Sequence, residues 1–84
     1  MALNAPDTAP ECLLYRIAAD RRPRFYRVEI AMNLFSEVSV LRQWGEAGRP
    51  GQLAIAIFAN LREASLAADR ARLAARRRGY VRAY

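Results

Sequence analysis

The residues best suited to chemistry lie together in Leu41-Arg42-Gln43-Trp44-Gly45-Glu46-Ala47-Gly48-Arg49-Pro50-Gly51-Gln52. Trp44 closes a strand-like run just before a segment that holds three of the four glycines in seven residues. An exposed indole in that position stacks on a nucleotide sugar or base, an interaction worth about 1–3 kcal/mol per stacked base. The same residue also reads as a core plug, the use that its position at a strand end by itself favours. Gly45, Gly48 and Gly51 give access to positive φ and let backbone amides approach a ligand, although a tight hairpin alone would also need them. Arg42 on the strand and Arg49 in the loop flank the indole, placed to hold phosphate by charge-assisted hydrogen bonds.

Bond-making chemistry has little to work with. The chain has no histidine, which excludes His-based acid–base catalysis and His-containing metal sites. Glu37, Glu46 and Glu63 are isolated from one another, and no nucleophile–base pair is visible. The single cysteine, Cys12, cannot form an internal disulfide or a Cys-rich zinc site, and its place in a strand-like run suits a small hydrophobe. The expectation is a binding module without catalytic residues, metal or cofactor.

Charge supports that direction. All 14 basic residues are arginine, and against 8 acids the formal charge is +6. Alanine and arginine without lysine is what GC-rich codons produce, so codon usage accounts for the choice of arginine. It does not account for the excess of bases, which favours polyanionic partners by long-range attraction. No apolar run approaches the ~18 residues needed to span a membrane. MALNAPDTAP lacks the charged and apolar regions of a signal peptide, so a cytoplasmic location is expected.

These residues need a scaffold, and 84 residues supply one small domain. Alanine is 17 of the residues counted as hydrophobic, so the core must be thin. Residues 1–10, small and polar with Pro6 and Pro10, are expected to form a disordered lead-in to a single domain over 11–84. Cys12 to Ala18 is rich in strand formers. From Arg24 the pattern alternates, with Val28 and Ile30 inward and Arg27 and Glu29 in water. A connection at 32–36 precedes a second alternation from Glu37 to Trp44, and a third runs from Leu53 to Phe58. In that last run Leu53, Ile55 and Ile57 stand opposite Ala54, Ala56 and Phe58. Strands joined by turn-rich loops predict an antiparallel meander.

Asn60, with Glu63 three residues later, announces a helix from Leu61 to about Arg78, stopped by Gly79. Ala64, Ala67, Ala68, Ala71 and Ala75 form a narrow face suited to close approach to a sheet. Leu66 and Leu73 project opposite that face: either the helix is gripped on two sides, or they mark a weak homodimer or protein-partner surface. Arg70, Arg72, Arg76, Arg77 and Arg78 are more numerous than interaction with the helix C-terminal dipole requires. Tyr80 to Tyr84 could close the sheet as a last short strand. The fold class is α+β: an antiparallel sheet of about four to five strands with one long α-helix packed across it.

Arg24-Phe25-Tyr26-Arg27, the Leu34-Phe35 connection, the Trp-Gly-x-x-Gly-x-x-Gly-Gln pattern from Trp44 to Gln52, and Arg77-Arg78-Gly79-Tyr80 resemble the WGR domain family over roughly residues 12–82. The likeness is nearest to its small stand-alone bacterial members. The resemblance implies the same architecture and binding to nucleic acid, DNA before RNA. In poly(ADP-ribose) polymerases, similar domains bind near DNA strand breaks with the tryptophan against a terminal sugar. It implies that Trp44 and Gly45 contact nucleic acid; Arg42, Arg49, Gln52, Arg70, Arg76, Arg77 and Arg78 are the further contacts expected from charge and position. The arginine that names the motif is replaced by Glu46, whose carboxylate repels phosphate; Arg49 is expected to offset it in part. A polymerase catalytic domain does not fit in this chain, so that linked activity is not implied. The competing reading is a protein-interaction or regulatory subunit.

Overall fold

The computed structural model describes residues 11–32 and 35–83. The lead-in over 1–10 and Leu34 of the connection lie outside the described residues. The elements are β1 (Glu11–Ile17), β2 (Pro23–Met32), β3 (Val38–Glu46), β4 (Gln52–Phe58), α1 (Leu61–Arg77) and β5 (Val81–Arg82). All pairings are antiparallel and the strand order is β4-β3-β2-β1-β5. The first four strands are the expected meander, and the short last strand returns beside β1.

One face of the sheet carries the core. Cys12 pairs with Val28, Leu14 with Tyr26, Ile30 with Val40, and Met32 with Val38, which places their side chains on a common face. Cys12, Leu14, Val28 and Val38 are essentially inaccessible to solvent, each contributing roughly 1.5–3 kcal/mol if a large aliphatic chain, and less for the thiol. Cys12 is thus a small hydrophobe, as expected, and its thiol is free.

Helix α1 covers this face with its alanines. Ala64, Ala68 and Ala75 are fully buried, and Ala67 and Ala71 pack beside them. At the N-terminus the Asn60 side chain accepts a hydrogen bond from Glu63 N–H at 2.9 Å. At the other end Gly79 adopts φ +97°, Gly79 N–H donates to Arg76 O, and Tyr80 N–H donates to Ala75 O. These two bonds form the left-handed cap that glycine permits, at the expected stop, with the helix ending at Arg77, one residue short of the expected Arg78. Leu66 and Leu73, expected opposite the alanines, are each about half exposed, and Leu73 borders a cleft that reaches Cys12 and Leu14 on the sheet.

The register decides which row of β4 faces the helix. Val40 pairs with Ala56 and Val38 with Phe58, so Ala54, Ala56 and Phe58 turn toward α1. Leu53, Ile55 and Ile57 therefore occupy the opposite, open face, where they remain 57–61% exposed. Elsewhere that face has a cover of its own: Leu13 and Phe25 are buried, and the loop after β3 lines a groove beside them.

Candidate nucleic-acid interface

The loop from Glu46 to Gln52 is shaped by two close approaches. A Cβ on Gly51 would fall 2.2 Å from Trp44 O, and one on Gly45 would fall 2.8 Å from Gly51 Cα. Gly51 also has φ +71°, a conformation that side chains disfavour. Two loop amides are committed internally: Ala47 N–H donates to Pro23 O and Arg49 N–H to Glu46 O. Gln43 Nε2 donates to Pro50 O at 2.7 Å, fastening the loop to its own strand. Closing the hairpin thus accounts for Gly45 and Gly51, while Gly48 supplies the turn itself with φ +88° and open space beside it.

Trp44 stands on the helix-covered face near the end of β3, opposite Tyr26 on β2 and Gln52 on β4. It is half-buried and packs against the core cluster, so each of its two possible uses has a physical basis. Its ring lies 6.1 Å from that of Tyr26, nearly parallel at 20°. Tyr26 in turn meets Tyr80 edge-on at 5.7 Å. Three aromatic rings form a row across the end of the sheet, each from a different element of the sequence.

Guanidinium groups bracket this row. Arg42 lies over the indole at 5.5 Å and its Nη1 is 3.5 Å from the Tyr26 hydroxyl. Arg16 lies over Tyr80 at 5.1 Å and donates to Arg78 O at 3.4 Å. The Arg16 Nε is buried with no hydrogen-bond partner among the described residues. Cations over ring faces gain quadrupole attraction while presenting N–H donors to an anion. Tyr26, Tyr80 and Arg16 were not singled out from sequence. The Arg-Phe-Tyr and Gly-Tyr segments contained two of them, but only cross-strand pairing and the helix cap bring them to Trp44.

Glu46 takes a different place from the one its isolation in the sequence suggested. Its carboxylate lies 3.4 Å from Arg22, 3.5 Å from Arg49 and 4.0 Å from Arg24. Arg24 also pairs with Asp20 at 3.1 Å, and Asp20 accepts from Arg22 N–H. That backbone bond and, next, the Arg24 side chain hold the Asp20 carboxyl below the usual aspartate range. Three guanidiniums face two carboxylates, and the cluster retains a positive charge. Arg49 therefore offsets Glu46 as expected, but with two further arginines.

The expected flanking of the indole by both Arg42 and Arg49 divides between the faces. Arg42 touches Trp44, whereas Arg49 lines a groove on the open face with Tyr15, Phe25, Arg27, Gln43 and Gly48. Of the expected contacts, Arg42, Trp44 and Gln52 share one face, and Gly45 belongs to the hairpin closure. The helix arginines also divide. Arg70 and Arg77, seven residues apart, share one exposed stripe of α1. Arg72 and Arg76 instead line a cleft of about 290 Å³ with Leu73, Asp69, Cys12, Leu14 and Arg82. There Arg72 is ion-paired to Asp69. Arg78, as the helix cap, is tied by its carbonyl to Arg16. The cap places Tyr80 against Tyr26, so the C-terminal end of α1 and Trp44 lie at the same end of the sheet.

Among the described residues, no group of three or more acidic, cysteine or histidine side chains is placed to hold a metal ion. Nor, among the described residues, is any helix long and apolar enough to cross a membrane. Searches of curated proteins and of solved structures found no significant match. Comparison with family models did: residues 11–84 match the WGR domain, and the chain belongs to that family.

Proposed function

We propose that this WGR domain is a nucleic-acid binding module without enzymatic activity, taking DNA in preference to RNA and engaging it at a strand end. The observation that carries the reading is the ring row Trp44–Tyr26–Tyr80 set between Arg42 and Arg16. Trp44 is the half-buried ring of the row, backed by the buried Tyr26 and Tyr80, and with Arg42 over it offers a stacking surface and phosphate donors in one place. Arg70 and Arg77 on the helix, and the arginines around Glu46, extend the positive field on which a backbone could lie. Family membership and the net charge of +6 support the same direction.

The test is a titration of a 5′-phosphorylated duplex with free ends beside a hairpin-capped duplex, each at two salt concentrations. Expected is tighter binding to free ends and a strong salt dependence from counterion release. Trp44→Ala should weaken end binding by about 5- to 150-fold, the equivalent of one lost stacking contact. Equal binding to both duplexes removes the end-selective part, and absence of binding at low salt removes the whole reading. If Trp44→Ala unfolds the domain, Trp44→Phe tests the stacking contact with the core filled.

A second reading, a protein-interaction subunit, draws on the half-exposed Leu66 and Leu73. Its signature is an association that survives high salt and is abolished by Leu73→Arg.

A further inference from the structure

The two edges of the sheet are managed very differently. At one edge β5 is two residues long and ends in Arg82, so it presents little backbone to pair. At the other, β4 is a seven-residue strand paired on one side with β3 in unbroken register. Exposed edges are ordinarily blunted by charge, proline, a bulge or a cover. None of these lies within β4. In a chain with 22 charged residues, the 12 residues from Pro50 to Leu61 carry none, and no other uncharged stretch is as long.

The pattern of that edge is also symmetric. Leu53, Ala54, Ile55, Ala56 and Ile57 alternate large and small about Ile55. Read in the opposite direction, the strand presents the same sizes to the same faces. Self-complementarity of this kind is what a two-fold interface demands of a surface.

We infer that β4 pairs with β4 of a second copy of this chain, antiparallel, with Ile55 on the two-fold axis. An axis perpendicular to the sheet keeps the open face of both copies on one side and both helices on the other. In this register Leu53 meets Ile57 of the partner, Ile55 meets its own copy, and Ala54 meets Ala56 of the partner. Shifting by the smallest step that preserves the faces sets one of the three large side chains against Gly51 or Ala59, so the centred register alone aligns all three. The half-exposed Leu53, Ile55 and Ile57 then bury one another, and the unpaired backbone groups of β4 find partners. The net charge of +6 opposes association, yet this edge is where that charge is absent. A small domain with a thin core gains most from such burial.

Pairing in this way joins two five-stranded sheets into one and sets the two Trp44 sites, each beside Gln52 of its own β4, at opposite ends of the paired β4 strands. The inference is independent of nucleic-acid binding and makes a different surface responsible for self-association from Leu66 and Leu73.

The experiment is sedimentation equilibrium without nucleic acid, from micromolar to submillimolar protein, at about 1 M salt, where the Debye length is about 3 Å. Expected is a concentration-dependent approach to twice the 9.5 kDa chain mass. Ile55→Lys, at an exposed position, should raise the dimer dissociation constant by ~10-fold or more. Leu73→Arg should leave it unchanged. A monomer throughout the range overturns the inference, as does a dimer that survives Ile55→Lys. Should Ile55→Lys fail to fold, cross-linking decides in a Cys12→Ala background with a short bis-maleimide. Ile55→Cys should cross-link to itself, whereas Ile17→Cys, exposed on β1, should not. Equal cross-linking at both positions, or none at 55, overturns the inference.

Discussion

Replacing Glu46 by glutamine removes one negative charge while keeping the size of the side chain, and the geometry predicts opposite effects on stability and on binding. In the folded domain this carboxylate faces Arg22 at 3.4 Å, Arg49 at 3.5 Å and Arg24 at 4.0 Å. The Arg22 and Arg49 side chains are 63% and 73% exposed, so solvent screens their share of the attraction. Exposed pairs contribute about 0–1 kcal/mol each, and the cluster as a whole should lose about 1 kcal/mol. For a domain of this size that lowers Tm by roughly 4–8 °C. Binding should move the other way, because Arg22 and Arg49 lose their internal carboxylate and Arg24 keeps only Asp20. Each additional phosphate contact steepens the plot of log affinity against log salt by about 0.9. Between about 50 and 200 mM salt, one added contact therefore multiplies the ratio of affinities by roughly 3–4. Fluorescence anisotropy with an end-labelled duplex measures that slope, and a thermal melt measures the loss in stability. Glu63→Gln, in the first turn of α1, makes the same change in net charge and is the control for bulk attraction. A folded Glu46→Gln protein with a slope no steeper than that of Glu63→Gln would refute the reasoning, since the Glu46 arginines would then lie away from the bound strand.

Three further outcomes follow from particular contacts. Gly51→Ala, whose Cβ would fall 2.2 Å from Trp44 O at φ +71°, should cost about 3 kcal/mol or more in urea melts. Gly48→Ala has positive φ but open space, and should cost only about 1–2 kcal/mol; equal losses would contradict the hairpin geometry. Ala68→Leu places a larger side chain at a fully buried helix–sheet contact and should destabilise by about 1–3 kcal/mol, with no effect expected from Ala74→Leu on the exposed stripe. The Asp20 carboxyl, held below its usual range by Arg22 N–H and then by Arg24, stabilises the fold above its unfolded-state value. That contribution is lost as pH falls through the lower folded-state value. Asp20→Ala should therefore lower Tm at neutral pH, with the difference from the parent protein closing in acid; a gap that persists there argues against the ion pair.

Local order was legible in the sequence because its causes are local. Alternation over Arg24 to Ile30 reports a pleat, Asn60 and Glu63 report a helix start, and Gly79 reports a left-handed stop. Each is settled by a residue and its near neighbours in the chain. The Trp44-to-Gln52 pattern was visible for the same reason, since a hairpin that closes through Gly45 and Gly51 must keep both small. Belonging to the WGR family could accordingly be inferred before any contact was known.

What tertiary structure alone decided depends on register and on which face the helix covers. Pairing of Val40 with Ala56 turns the Ala54, Ala56 and Phe58 row toward α1, where Phe58 packs on the core, and leaves Leu53, Ile55 and Ile57 outside, although apolarity alone would favour burying the larger row. Pairing of Arg24 with Glu46 turns an isolated acid into the centre of an arginine cluster. The cap at Gly79 delivers Tyr80 to Tyr26, and the ring row beside Trp44 exists only then. Near neighbours along the chain are enough to set the elements and the hairpin, and composition the abundance of arginine. The fold decided which arginines meet the rings, which meet acids, and which edge stays bare, because side chains far apart in the chain interact only after strand pairing and helix packing bring them within a few ångströms.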